Sequence, residues 1–369
     1  MFKKLLSTVF CAALFSVSAY AAEPPETAAA SPGYSHYSSM NQLTESNISE
    51  RLNKVYESVE LMTLLFRLAG GHWVFSNEFT EYQQSLMPAF EEFANHPAVE
   101  FARYITASRG IGFDAVMWFA LYMEETDDGF ALKDGAQFWY MDGRWTPEIA
   151  NEFIPLINDF YAVSGFGEFF ESHISYFEEH TRRMMDELWS VINFDWFYQF
   201  GFGPDQLRIT LYPSGSQGGF GPDMQGNSYA VLPVTANYGD WLSFAIHEFA
   251  HSFANPIAEA WYEENEEFRR FSNESVDLVR MPFYGSGITM AREYVTRAYT
   301  ILYMVENHGA DLLLQLTAEI ASGFYNIETV YSMITDHVPI LTPETDMLAL
   351  FLGEGLEYTL GEKQRVIIP

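Results

Sequence analysis

A glutamate stands between two histidines in Ser243-Phe-Ala-Ile-His247-Glu248-Phe-Ala-His251-Ser-Phe-Ala-Asn255-Pro256, an H-E-x-x-H pattern within an apolar stretch. Residues four apart on a helix project from the same side, which sets His247 beside His251. Two neutral imidazoles at that spacing can hold one Zn²⁺, and Glu248 can face a water on the same ion. Leu242, Ala245, Ile246, Phe249, Ala250 and Phe253 form a core-facing stripe. Phe244, His247, Glu248, His251 and Asn255 share the other side. Asp240 is placed to cap this helix, and Pro256 to stop it just after Asn255. A purely structural helix would carry three polar groups on one buried face without a task, which is costly.

The chain of 369 residues is 48% hydrophobic, enough for one large or two ordinary domains. Its start reads as a signal peptide over 1–21, with Lys3 and Lys4, an apolar run from Leu5 to Val17, and Ala19-Tyr20-Ala21 as the cleavage site. The run is too short for a membrane span, and no later stretch is long enough. An exported protein, periplasmic or extracellular, is expected. Cys11, the only cysteine, lies in the signal, so thiolate nucleophiles and thiolate metal ligands are excluded. The formal charge of −31 becomes −33 once Lys3 and Lys4 are lost. Such a surface repels nucleic acid and anionic membranes.

The elements that must position the histidines follow from the patterning. Residues 22–45 read as a flexible leader, rich in Ala, Pro, Ser and Glu. A helical N-terminal lobe is expected over 46–191, opened by a capping box at Asn47-Ile-Ser-Glu50. Its helices fall near 52–69, 79–94, 97–108, 112–123, 147–163 and 167–190. A catalytic region is expected over 192–361, and 362–369 reads as a tail. Alternation predicts strands at 194–200, 207–212 and 229–234, with Pro233 favouring an edge position or a strand end. A Gly-rich loop, 213–227, separates the last two. Helices at 288–307, 309–321, 325–335 and 343–352 complete an α+β fold: mostly helical and two-lobed, with a small antiparallel sheet before the histidine helix.

These residues resemble the zincin superfamily of metallopeptidases. More narrowly, His247-Glu-Phe-Ala-His-Ser-Phe-Ala-Asn-Pro256 looks like the motif of a secreted bacterial zincin-like family catalogued as a domain of unknown function. The similarity extends to Glu60–Gly70, Asn95–Val99 and Arg292–Ala298. It implies a zinc-dependent hydrolase acting on a peptide or protein, and no particular substrate.

A catalytic zinc takes three protein ligands and keeps one position for water. A third histidine of the metzincin kind is excluded, because Ala254 and Ile257 stand where Gly and His would be needed. The resemblance then implies a glutamate from a later helix. Glu293 fits, at the edge of the stripe formed by Tyr294, Val295, Ala298, Ile301 and Leu302. Glu274 and Asp277 are the alternatives, and an ordinary pair of Glu293 with Arg297 is the structural explanation. The glutamates from Glu259 to Glu267 read as a solvated run. Glu248 is the expected general base. Tyr284, Tyr294 or Arg297 could stabilise an oxyanion, and Asn255 is either a partner of the site or a helix terminator. The strand at 228–234 is placed to pair with an extended peptide, and the Gly-rich loop either covers the site or is a plain mobile surface loop. The other readings are a non-catalytic binding protein on the same scaffold, and a zinc hydrolase of non-peptide amides or esters.

Overall fold

The computed structural model describes residues 55–335, apart from 72–79, 128, 134–143, 204–205, 216–218, 225–226 and 279–283. The signal, the leader, the cap at Asn47–Glu50, the helix at 343–352 and the tail lie outside the described residues. So do the side chains of 277 and 278.

The chain begins with α1 (Glu57–Leu68), buried on nearly every side, so it forms the centre of the first helical group. Helix α2 (Glu81–Phe90) opens with a complete capping box between Thr80 and Gln83. Helix α3 (Pro97–Arg109) has His96 as its cap, Pro97 in its first turn and left-handed Gly110 at its end. Helix α4 (Asp114–Tyr122) leads into a hairpin, β1 (Met123–Thr126) and β2 (Gly129–Leu132). Then come α5 (Pro147–Ser164), α6 (Phe166–Ser172) and α7 (Ile174–Glu187). The single helix expected over 167–190 is therefore broken at His173, whose backbone leaves the helical region.

Residues Phe194–Phe200 form a 3-10 helix, not the expected strand. Period three places Phe194, Phe197 and Phe200 on one side. Phe200 stacks on Phe253 at 3.9 Å, and Phe197 meets Phe249 edge-on at 5.9 Å. Burial of aromatic rings against the histidine helix overrides the alternating pattern.

The second sheet has the order β3 (Leu207–Tyr212), β5 (Asn227–Pro233), β4 (Asp223–Met224). Strands β4 and β5 are antiparallel, while β3 and β5 run parallel, with Leu207 opposite Ser228. The long loop after Tyr212 makes this possible, because it carries the chain back to the sheet's starting end. Strand β5 is central, and Pro233 is its last residue. Phe220 bonds Val231 in both directions (3.1 and 2.8 Å), and the Tyr229 N–H donates to Pro222 O at 3.0 Å. The edge expected at 229–234 is therefore occupied by the chain itself, and residues 219–224 form the outer border.

Helices α8 (Leu242–Glu264), α9 (Glu266–Leu278), α10 (Gly287–His308), α11 (Leu312–Ala321) and α12 (Ile327–Thr335) complete the α+β fold. Among the described residues, no helix is long and apolar enough to cross a membrane. Buried side chains from α1 through α12 belong to one hydrophobic core.

One buried polar group ties the N-terminal helices to the sheet. Glu60 on α1 accepts from Ser214 N at 3.0 Å and from Ser214 Oγ at 3.0 Å. Burial pushes its carboxyl up to about 8, against the opposing contacts with Tyr82, Ser214 and Arg67. The folded chain thus holds this proton more tightly than the unfolded chain, whose glutamate titrates near 4.5. The contribution is full below that value and is lost as pH rises towards about 8. Its slope is at most about 1.4 kcal/mol per pH unit. Glu60→Gln should abolish this slope. Urea unfolding of both proteins between about pH 5 and about pH 8.5 should show the variant gaining relative stability as pH rises.

Candidate metal centre

Helix α8 starts later and runs further than its sequence signals suggest. Asp240 lies inside a 3-10 turn, Tyr238–Trp241, and α8 follows with Trp241 at its cap and no capping side chain. Pro256 does not stop the helix, which continues to Glu264. Proline removes one N–H bond, and the buried Ala258 with packing on α9 and α10 outweighs that loss. The expected stripe from Leu242 to Phe253 is buried throughout.

The opposite face of α8 meets α10. His247 Nε2 lies 3.6 Å from Glu293 Oε2, and His251 Nε2 lies 3.6 Å from Glu293 Oε1. One ligand atom from each of the three lies within 4.8 Å of the others. Tetrahedral nitrogen and oxygen ligands at about 2.0–2.1 Å from zinc stand about 3.3–3.4 Å apart, close to these separations. Burial, reinforced by His251 and Arg297, pushes His247 well below its usual range, so its ring is a neutral donor. Glu293 Oε2 is buried and has no hydrogen-bond partner. Two imidazole nitrogens converging on a carboxylate with an unsatisfied oxygen are a donor set that fits a divalent metal.

Partners behind the ligands fix their orientation. His251 Nδ1 faces Asn255 Oδ1 at 3.1 Å and Thr296 Oγ1 at 3.2 Å. A proton on Nδ1 leaves the Nε2 lone pair towards Glu293. Asn255 is thus a partner of the site and not a helix terminator. Arg297 Nε lies 3.5 Å from Glu293 Oε2, and its Nη1 donates to Glu319 Oε2 at 2.7 Å. The guanidinium also lies 3.8 Å over the Phe324 ring. Burial disfavours the Arg297 charge, yet Glu319, Tyr284 and Glu293 together hold it protonated.

Glu248 is buried beside the ligands. Burial, then the charge of Glu293, pushes its carboxyl well above the usual range. Gly221 runs directly over it: a Cβ there would lie 2.7 Å from Glu248 Oε2 and 2.8 Å from Glu248 O. The Tyr284 hydroxyl accepts from Arg297 Nη2 at 3.3 Å; burial, then the Glu293 charge, keeps this phenol neutral. Tyr294 is committed to the core instead, its hydroxyl donating to Tyr325 O at 2.7 Å. It is therefore not an oxyanion donor.

Among the described side chains, the alternative ligand Glu274 does not join the cluster. Glu274 is exposed and pairs with Arg270 at 4.0 Å, and the Asp277 side chain lies outside the described residues. Glu259 pairs with Arg292 at 2.6 Å across α8 and α10. Glu319 and Thr296 escaped the sequence reading. Glu319 sits two turns into the apolar helix α11, and only its reach to Arg297 distinguishes it.

Two substitutions test this geometry. Asn255→Ala should weaken zinc binding by about 10–100-fold in competition with a chromogenic chelator, and Glu293→Ala by more. Gly221→Ala should displace the backbone over Glu248, since the clash is with main-chain atoms. Its expected cost is about 1–3 kcal/mol in thermal unfolding.

Comparisons with protein-family models, with curated proteins and with solved structures found no match for this chain, so its chemistry is argued from the residues themselves.

Proposed function

We propose that this chain is an exported zinc-dependent peptidase of the zincin kind. The observation that carries the reading is the meeting of His247 and His251 from α8 with Glu293 from α10, with Glu248 beside them. The signal-like N-terminus supports export. His247, His251 and Glu293 would hold a zinc ion, which would supply a Lewis acid and a water of lowered pKa, towards about 7. Glu248 takes the proton from the attacking water and delivers it to the leaving amine. Arg297 keeps the Glu293 carboxylate turned to the histidines, and Tyr284, held by Arg297, is the neutral phenol set to face the developing oxyanion.

The backbone beside Glu248 suits an extended polypeptide. Phe220 uses both its peptide groups on Val231, so strand alternation turns those of Gly221 away from β5. The border at 219–222 can then pair with a substrate main chain, taking the role first assigned to 228–234.

The test is metal analysis combined with cleavage of a denatured protein pool by the parent and by Glu248→Ala. The parent should carry one zinc and cleave, and chelation should stop it. Glu248→Ala should keep the zinc and lose about 10²–10⁴-fold in turnover. Zinc in both with cleavage by neither would leave a metal-bound binding protein. Ester or non-peptide amide hydrolysis without peptide cleavage would change the substrate class and keep the site.

A further inference from the structure

The first helices hold a second polar constellation, apart from the metal ligands, and it closes on one turn. Glu60 takes both the N–H and the hydroxyl of Ser214. Gln83 Nε2 donates to Pro213 O at 2.9 Å and to Gly215 O at 2.6 Å. Arg67 Nη1 reaches Ser214 O at 3.5 Å. Glu60, Arg67, Gln83 and Ser214 are all buried, with Glu60 fully enclosed. Three successive residues of a Gly-rich loop are thus gripped by side chains about 130 or more positions away in sequence.

The grip is transmitted towards the metal centre through Tyr212. Its ring lies against Gly215, where a Cβ would come within 1.5 Å of a ring carbon, and against the Phe220 ring at 5.7 Å. Phe220 is locked to Val231, and the next residue, Gly221, rests on Glu248. The Tyr212 side chain is fully buried, and burial first, then its proximity to Glu248 and Glu60, pushes its phenol well up.

We propose that α1 and α2 form a clamp in which Glu60 and Gln83 are positioning residues for the backbone edge at 219–222, holding it against Glu248 for an extended substrate. The substrate part rests on the peptidase reading; the clamp does not. Glu60 and Gln83 touch neither the metal ligands nor the reacting atoms. They fix where the edge begins, and Tyr212 carries that placement to Phe220. A loosened clamp lets the edge drift from Glu248 while His247, His251 and Glu293 stay assembled.

Glu60→Leu leaves the Ser214 N–H and hydroxyl buried without an acceptor, whereas Glu60→Gln keeps an acceptor of the same shape. Hydrogen exchange by the zinc-loaded protein reads the edge at the amides of Phe220, Tyr229 and Val231, and the metal helix at Val295 and Ala298. The expected result for Glu60→Leu is exchange about tenfold faster at the edge amides than in the parent, with the α10 amides and zinc affinity unchanged. Glu60→Gln should match the parent. The KM for a peptide of about ten residues should rise about tenfold in Glu60→Leu, while the KM for a blocked dipeptide should hold, because only the longer chain uses the edge. Equal acceleration at edge and α10 amides, or none at Phe220, overturns the clamp. A parallel rise in KM for both peptides overturns its role in substrate placement. A parent that hydrolyses neither peptide defeats the peptidase reading, and exchange at Phe220 still decides the clamp.

Discussion

Glu293 shares a buried crevice with a guanidinium on one side and two imidazoles on the other, and the rest of the site depends on how that charge is balanced. Burying a carboxylate costs several kcal/mol unless it is paired and hydrogen-bonded. Arg297 stands close enough to pair with it, yet the hydrogen bond of 2.7 Å goes to Glu319. The arginine is thus shared between two carboxylates, and the three groups together carry one negative charge. His247 does not cancel it, since burial holds its ring neutral. A divalent cation between the imidazole nitrogens and the free Glu293 oxygen restores the balance. Glu319 draws the shorter contact of Arg297 to itself, and Oε2 of Glu293 is left without a hydrogen bond.

The fold meets this constraint by packing α8 closely on α10. Ala250, Ala254 and Ala258 recur at every fourth position of α8 and are fully buried, as are Ala291 and Ala298 on α10. Small residues at such spacing let two helices approach until side chains from one reach ligands on the other. Thr296 reaching His251 Nδ1 and Arg292 reaching Glu259 are two consequences. The far face of α8 is held by aromatic rings of the 3-10 helix, with Phe253 stacked on Phe200 and Phe249 edge-on to Phe197. The histidines therefore sit on a helix restrained from both sides, which is what a preorganised ligand set requires.

How far the sequence revealed this follows from the range of each signal. The H-E-x-x-H spacing, the buried stripe of α8 and the ends of α3, α5 and α10 are local, and they read correctly to within a residue or two. Glu293 was legible as one of three acidic candidates, and geometry brings it to the histidines while Glu274 pairs with Arg270. What failed depends on partners remote in sequence. Phe194–Phe200 has strand-like alternation and becomes a 3-10 helix because its rings find α8. Pro256 carries a strong stop signal that burial of the next turn overrides. Glu319 and Thr296 carry no motif at all, since their role consists of contacts with Arg297 and His251.

The Gly-rich loop shows most clearly what composition cannot decide. Its glycines have the frequency of a mobile surface loop, and a sequence offers no means to separate that case from a tightly packed one. At Gly215 and Gly221 the reason for glycine is approach: a Tyr212 ring at the first and the Glu248 main chain at the second leave no room for a Cβ. Pro213, Ser214 and Gly215 meanwhile spend their peptide groups on Gln83, Glu60 and Arg67. A segment pinned at one end and pressed on Glu248 at the other cannot behave as a free cover. Its place in the molecule is that of a fixed border, and the N-terminal helices are part of the machinery because they hold that border in place.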